Sequence, residues 1–441
     1  MYHTSPVEEH RDSLRSRLAY ARRVTDSLFE MLKPEALLSR PIRERHRVIF
    51  YLGHLEAFDW NLLGRTTFAI DPFNAEFDDL FAFGIDPVDD SFPDDVPSDW
   101  PRREFVDAYV REVRSKVDRL LARADLDTTG NLHNGKVFDV AVEHRLMHAE
   151  TLAYMLHWLP FGWKRPLEGG SRLPDRPGRR DEQVPVPAGV ATLGLARDGS
   201  IFGWDNEFDL TRAEVPDFRI DAHNVTNRQF LDFVESGGYA DRSLWSDDDW
   251  AWRSREGIGH PRFWELHDGR WMIRNMFDVR CLPGSWPVYV SHAEASAYAR
   301  WAGRSLPTEA QLHRAAYGTP AGEERPYPWG DEPPDASRGN FDFNRWDPAP
   351  VGSYRKGDSA FGVSDLLGNG WEWTSTLFRP FDGFERFEFY PGYSADFFDD
   401  NHFVMKGGST QTSMSMLRRS FRNWFQPHYP NIYATFRCIE S

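Results

Sequence analysis

Polar and apolar positions divide the chain into two stretches with different periods. In four early segments, roughly 8–33, 43–64, 103–124 and 136–158, apolar positions recur with helical spacing and without internal runs of Pro or Gly. That spacing predicts four amphipathic helices and so an N-terminal four-helix bundle. The connection at about 65–102 is rich in Asp, Pro and Phe. It predicts a long crossover over the bundle face, a kind of loop that often carries binding groups. Between Gly162 and Pro187 periodicity gives way to Pro, Gly, Arg and Asp, which reads as an interdomain linker with its boundary near Arg180. From Val184 to Ser441 the pattern predicts short strands, many turns and aromatic-rich loops, with helices around 226–235, 291–302 and 308–317. The expected division is a bundle at 1–165, a linker at 166–183 and an α+β domain at 184–441.

Composition agrees with two folded units. A chain of 441 residues exceeds what one core normally serves. With 40% hydrophobic residues, 17 Trp and 33 Phe, it lacks the aromatic-poor signature of disorder. The net charge of −16, with no Lys/Arg cluster, argues against a nucleic-acid partner, because phosphates would be repelled. Cys281 and Cys438 are the only cysteines, too few for a disulfide framework and wrongly spaced for a zinc motif. Met1 to Arg23 is charged throughout and no membrane-length apolar run follows, so a cytoplasmic protein away from membranes is expected.

The fourth predicted helix contains Glu143-His144-Arg145-Leu146-Met147-His148-Ala149-Glu150. A spacing of four puts His144 and His148 on one helical face, where they can share an ion. Glu150, two residues on, points elsewhere and suits a supporting role better than ligation. His54 is the best third ligand, since it stands inside the apolar stretch Val48-Ile49-Phe50-Tyr51-Leu52-Gly53-His54-Leu55, where a buried imidazole needs a partner. Three neutral imidazoles suit Zn, Fe, Cu or Ni alike.

An early His, a later H-x-x-x-H-x-E and a set of downstream motifs together resemble the ergothioneine and ovothiol sulfoxide synthase family. The downstream motifs are Phe202-Gly203-Trp204-Asp205-Asn206-Glu207, Val225-Thr226-Asn227, Pro287 to Ser291, Leu306-Pro307-Thr308-Glu309, Pro328-Trp329-Gly330, Gly368-Asn369-Gly370-Trp371-Glu372-Trp373 and Gly407-Gly408-Ser409. The resemblance implies a multidomain α and α+β protein. Its bundle would be DinB-like and its second domain of C-type-lectin type, like formylglycine-generating and sulfatase-modifying enzymes. It implies Fe(II) as cofactor and O2 as co-substrate, coupling a thiol to an imidazole carbon, usually that of hercynine, to give a sulfoxide. It also implies a catalytic tyrosine in the loop after the W-E-W-T motif, Tyr390 with Tyr393 as substitute. Asn423 and Trp424 match the family's substrate-binding Arg-Asn-Trp motif. Arg102 and Arg103 match the arginines that hold the donor carboxylate. Asn369 and Glu372 occupy a motif that can hold a structural Ca²⁺ in the lectin-type fold.

Two positions depart from the family pattern. Met147 stands where a Gln often contacts the imidazole substrate, and Phe425 stands where members using γ-glutamylcysteine carry an acid. Cysteine or another donor is thereby favoured. The starts at Phe50-Tyr51-Leu52-Gly53-His54 and Leu80 to Asp86 look closer to the ovothiol branch, yet nothing is left over for its methyltransferase domain. The combination leans toward the selenoneine synthase branch, with a selenosugar as donor. The rivals are a formylglycine-generating enzyme, which needs a cysteine pair near its end, and a module that only binds a small ligand, since fold does not fix function.

Overall fold

The computed structural model describes residues 6–82, 95–166, 172–175, 182–199 and 201–440. The chain divides into two compact units. The first holds Met1–Glu168 with two later segments, Gly199–Phe202 and Phe387–Pro391. The second holds Gly169–Asp198, Gly203–Arg386 and Gly392–Ser441.

The first unit contains α1 (Pro6–Glu30), α2 (Val48–Asp59), α3 (Ala75–Leu80), α4 (Arg103–Arg123) and α5 (Lys136–His157). On α4 the buried residues Val106, Tyr109, Val113, Val117 and Leu121 recur every three or four positions, so one stripe faces the core and the rest meets water. Helices α2 and α5 are buried around nearly their whole circumference, which makes them the inner pair. Beyond Asp59, α2 widens into a π-helical stretch, Trp60–Thr67, a form that recurs at functional sites.

This second helix begins at Val48, later than the sequence pattern predicts. The residues before it form a turn in which Arg40 and Arg47 are both held by Asp95, Arg47 Nε donating to its Oδ2 at 2.7 Å. Part of the crossover is helical as well: α3 is capped by Asn74, whose Oδ1 accepts from the Phe77 N–H at 3.2 Å. The stretch Phe83 to Asp86 that bears on the ovothiol resemblance lies outside the described residues.

In the second unit β1 (Gln183–Val186), β4 (Phe218–Asp221) and β12 (Ile439–Glu440) form an antiparallel sheet with β4 central. Strands β2 (Gly189–Leu193) and β3 (Thr211–Val215) pair as a hairpin-like ribbon, and β5 (Trp264–His267), β6 (Arg270–Arg274) and β7 (Val279–Cys281) form a meander. The fourth sheet has the order β10 (Asn423–Phe425), β9 (Phe403–Gly408), β8 (Gly370–Leu377), β11 (Ala434–Thr435), parallel only between β8 and β11. Four helices complete the unit: α6 (Asn227–Glu235), α7 (Asp247–Glu256), α8 (His292–Trp301) and α9 (Glu309–Tyr317). Thr226, Ser291 and Thr308 cap α6, α8 and α9 in reciprocal pairs with Gln229, Glu294 and Gln311, the two-way arrangement that satisfies orphan N–H groups at a helix start. One core cluster joins Val186, Val215, Ile220, Leu312, Tyr317, Val363 and Ile439.

Within the expected linker, residues 172–175 are bound to the second unit. Arg172 pairs with Asp278 at 2.7 Å and with Asp347, and Asp175 accepts from the Gly284 N–H at 3.1 Å. The rest of that segment, 167–171 and 176–181, lies outside the described residues. Among the described residues no helix is long and apolar enough to cross a membrane.

Candidate metal centre

His54 on α2 meets His144 and His148 on α5. One ring nitrogen from each lies within 4.8 Å of the other two, and the Nε2 atoms of His144 and His148 are 3.2 Å apart. Two nitrogens about 2.1 Å from a common ion would stand roughly 3 Å apart, so the pair already has chelating separation. Among the described residues these three form the one group of His, Cys, Asp or Glu side chains gathered this closely.

Local sequence explains how His54 is oriented. A Cβ at Gly53 would fall 2.5 Å from the Phe81 ring, so only glycine lets Phe81 lie against α2. The Phe81 carbonyl then accepts a hydrogen bond from His54 Nδ1 at 2.8 Å. A carbonyl can only accept, so the proton sits on Nδ1 and the His54 Nε2 lone pair is free to ligate.

All three rings are buried, with relative exposures of 4%, 4% and 1%. Burial pushes the His54 pKa down to about 4, the Phe81 hydrogen bond opposing it, and holds His144 and His148 well below the ordinary histidine range. All three are therefore neutral at pH 7, the state in which imidazole ligates. His54 Nε2 and the Nδ1 atoms of His144 and His148 have no hydrogen-bond partner. A buried orphan such as His54 Nε2 costs about 1–3 kcal/mol, a cost that an ion shared with the His144 and His148 Nε2 atoms would offset.

Aromatic rings and a charged network surround the cluster. Phe58, one turn after His54, stacks flat on His144 with centroids 3.4 Å apart. Tyr390 meets Phe58 edge-on at 5.1 Å and lies 6.3 Å from His144, ring to ring. Lys136, at the start of α5, places its Nζ 4.0 Å from the Phe387 ring centroid, which ties the Tyr390 segment to the bundle. Arg145, between the paired histidines, is fully buried and donates to Glu56, Asp59 and the Leu55 carbonyl of α2. The Glu56 carboxyl is held below the usual range because Arg145 and Arg114 together outweigh the upward push of burial; for Asp59 burial wins and the pKa rises. Sequence reasoning missed Phe58, Glu56, Asp59 and Arg145. Two signals were available: a Phe four residues after His54, and carboxylates inside an otherwise apolar helix.

Other sequence-predicted residues are placed elsewhere. Tyr393 belongs to the second unit, stacked on Trp204 at 3.8 Å and edge-on to Trp424 at 5.4 Å. Trp424 stacks on Phe378 at 4.2 Å, and Asn423 Oδ1 accepts from the Trp424 N–H at 2.8 Å. Phe425 stacks on Tyr429 at 5.2 Å. Met147 is half-buried on α5, as is Glu150.

Arg102 and Arg103 face solvent. Their side chains are 73% and 48% exposed at the start of α4, paired with Glu104 and Asp107, because the first turn of that helix points to solvent. Asn369 and Glu372 are both buried. Glu372 is bound at both oxygens by Arg437, and Asn369 bonds Ala349 and Asn340, so the oxygens a hard cation needs are already engaged. Cys281 is exposed on β7, Cys438 is buried, and no disulfide joins them, which does not supply the cysteine pair of a formylglycine-generating enzyme.

Residues 17–152 match the DinB superfamily and residues 171–441 the Sulfatase-modifying factor enzyme 1-like domain. The chain is 40% identical over 308 residues to the hercynine oxygenase of Mycolicibacterium thermoresistibile, covering 68% of each. To the hercynine oxygenase of Mycolicibacterium smegmatis it is 37% identical over 338 residues, covering 75% of this chain and 76% of the relative. Ergothioneine biosynthesis protein 1 of Neurospora crassa is 30% identical over 93% of this chain, which spans 56% of that longer protein. A formylglycine-generating enzyme of Mycobacterium tuberculosis, also 30% identical, matches over 45% of this chain and 75% of its own length.

Proposed function

The chain belongs to the sulfoxide synthase family that includes the hercynine oxygenases, and we propose that it joins sulfur to the imidazole ring of hercynine using iron(II) and O2. One oxygen atom would enter the sulfoxide. The other would leave as water with the protons of the thiol and the ring carbon. The observation that carries this reading is the trio of buried, neutral imidazoles, each bringing one ring nitrogen within 4.8 Å of the other two.

His54, His144 and His148 would hold the ion. Iron(II), when bound, supplies open coordination positions at which a thiolate and O2 are activated. The protein's part is positional and protic. Burial keeps the imidazoles neutral, Phe58 fixes the His144 ring plane, and the Tyr390 phenol holds a proton beside Phe58 and His144 for delivery as general acid. Asn423 and Trp424 are assigned to substrate binding, the amide suiting a carboxylate or imidazole and the indole face a trimethylammonium group. Two cysteines without a disulfide between them suit a reducing cytoplasm.

A second reading replaces the thiol with a selenosugar. It is favoured by Met147 and by Phe425, which stacks on Tyr429 where an acid would have met a γ-glutamyl amine. The test is anaerobic iron(II) loading followed by O2 and hercynine with cysteine, γ-glutamylcysteine or a selenosugar in parallel. A carbon–sulfur adduct by mass supports the first reading, a carbon–selenium adduct the second, and no adduct with any donor counts against both.

A further inference from the structure

The three imidazoles come from two helices, and the sequence places only two of them on the same element. His144 and His148 share a face of α5 by helical spacing alone. The position of His54 relative to them depends on how α2 is set against α5, both along the axis and in rotation. A slide of one residue along α2 is about 1.5 Å with a turn of about 100°, enough to remove the third ring from the site.

A fully buried side chain fixes that setting. Arg145 Nη1 donates to Glu56 Oε1 at 3.0 Å, and its Nη2 donates to Glu56 Oε2 at 2.9 Å, Asp59 Oδ2 at 2.7 Å and the Leu55 carbonyl at 3.1 Å. Every acceptor lies on α2 within five residues of His54, and the donor is the neighbour of His144. Arg114 of α4 braces the same carboxylate, its Nε donating to Glu56 Oε1 at 2.9 Å while its Nη atoms bind Asp26 of α1. The planar guanidinium fork accepts one geometry of carboxylate, unlike a flexible ammonium. The Leu55 carbonyl lies one turn before α2 changes pitch at Trp60, where the helix would otherwise be easiest to shift.

We propose that Arg145, through Glu56 and Asp59, is a positioning residue that locks α2 to α5 in the one register where His54 completes the metal site. It touches neither ion nor substrate, and it acts through His54. The inference rests on the reading that the three histidines hold one ion.

Its test measures cobalt(II) binding to the full chain by anaerobic titration, reading both the dissociation constant and the visible d–d spectrum. The proteins compared are wild type, Arg145→Lys, Glu56→Gln, His54→Ala and the double variant His54→Ala/Arg145→Lys, each checked for folding by circular dichroism and melting. Arg145→Lys keeps the charge and loses the fork. It is expected to weaken cobalt binding roughly 10- to 100-fold, the usual cost of disturbing a ligand's support, and to shift the spectrum toward that of His54→Ala. Glu56→Gln is expected to do the same. In the His54→Ala background Arg145→Lys should add nothing, since the residue through which it acts is gone. Wild-type affinity in a folded Arg145→Lys protein, or equal losses with and without His54, overturns the lock while leaving the three-histidine site intact. Failure of the wild type to bind cobalt overturns the metal-site reading and the lock with it.

Discussion

The imidazole cluster of α2 and α5 and the Arg437–Glu372 pair of the second unit are both sealed from solvent, but their polar atoms end differently. Arg437 Nε and Nη2 grip Glu372 at 2.6 and 2.7 Å, and its remaining donors reach the Asp221, Ala222 and Ser364 carbonyls. That network is closed, with each guanidinium nitrogen spent on protein. In the histidine cluster His54 Nε2 and two Nδ1 atoms are left without a partner. A closed buried network holds the fold, while a buried lone pair such as His54 Nε2 is satisfied only by something added. The comparison separates W-E-W, the more conspicuous motif, whose Glu372 is a staple, from H-x-x-x-H, the candidate site.

The sharpest way to break the comparison is His144→Ala. Iron binding and turnover should both disappear, while circular dichroism shows the variant still folded. Full iron content in the purified variant would end the ligand assignment. Next in size, Tyr390→Phe should retain iron but lose about 100-fold in sulfoxide formation, with thiol oxidised in its place. An unchanged rate and product ratio would remove Tyr390 from the chemistry.

Glu372→Gln tests the closed side. It leaves Arg437 buried without its counter-charge and should cost about 3–5 kcal/mol of stability with iron affinity untouched. Chemical denaturation and metal titration on the same preparation separate the two. The smallest effect concerns Asp365, whose carboxyl burial pushes up to about 6 despite the Gly352 N–H it accepts at 2.6 Å. A raised folded-state pKa contributes stability that is full below the unfolded value near 4 and lost as pH rises through 6. Asp365→Asn keeps an acceptor, and asparagine tolerates the positive φ of 56° there. Relative to wild type, the variant should therefore gain on the order of 2 kcal/mol between pH 4 and 7. A difference in melting temperature that does not change with pH would refute this.

Much of the architecture was legible because local signals were strong. Predicted helices at 226–235, 291–302 and 308–317 begin within a residue of α6, α8 and α9, since Thr226, Ser291 and Thr308 announce their starts by capping chemistry. Several motifs that carried the family resemblance thus turn out to build the fold. By contrast α7, whose first turn is Asp247-Asp248-Asp249 and whose buried residues are only Asp249 and Trp252, offers too little apolar period to be read. The late start of α2 followed from Asp95, some fifty residues away, capturing Arg40 and Arg47. No window of neighbouring residues contains that contact.

The sequence by itself determined the α5 histidine pair, because a spacing of four on a helix is a geometric certainty once the helix forms. It also determined the two-part character of the chain, through the change of hydrophobic period. Tertiary structure alone decided that Tyr390, from the second half of the chain, packs with the bundle beside Phe58 and His144 while Tyr393, three residues on, packs with Trp204. It alone revealed Arg145 as the bond between α2 and α5. The physical reason is common to both. Helical period and capping are local and can be read along the chain, whereas which buried groups meet depends on how separate elements pack, and that is set by contacts between residues far apart in sequence.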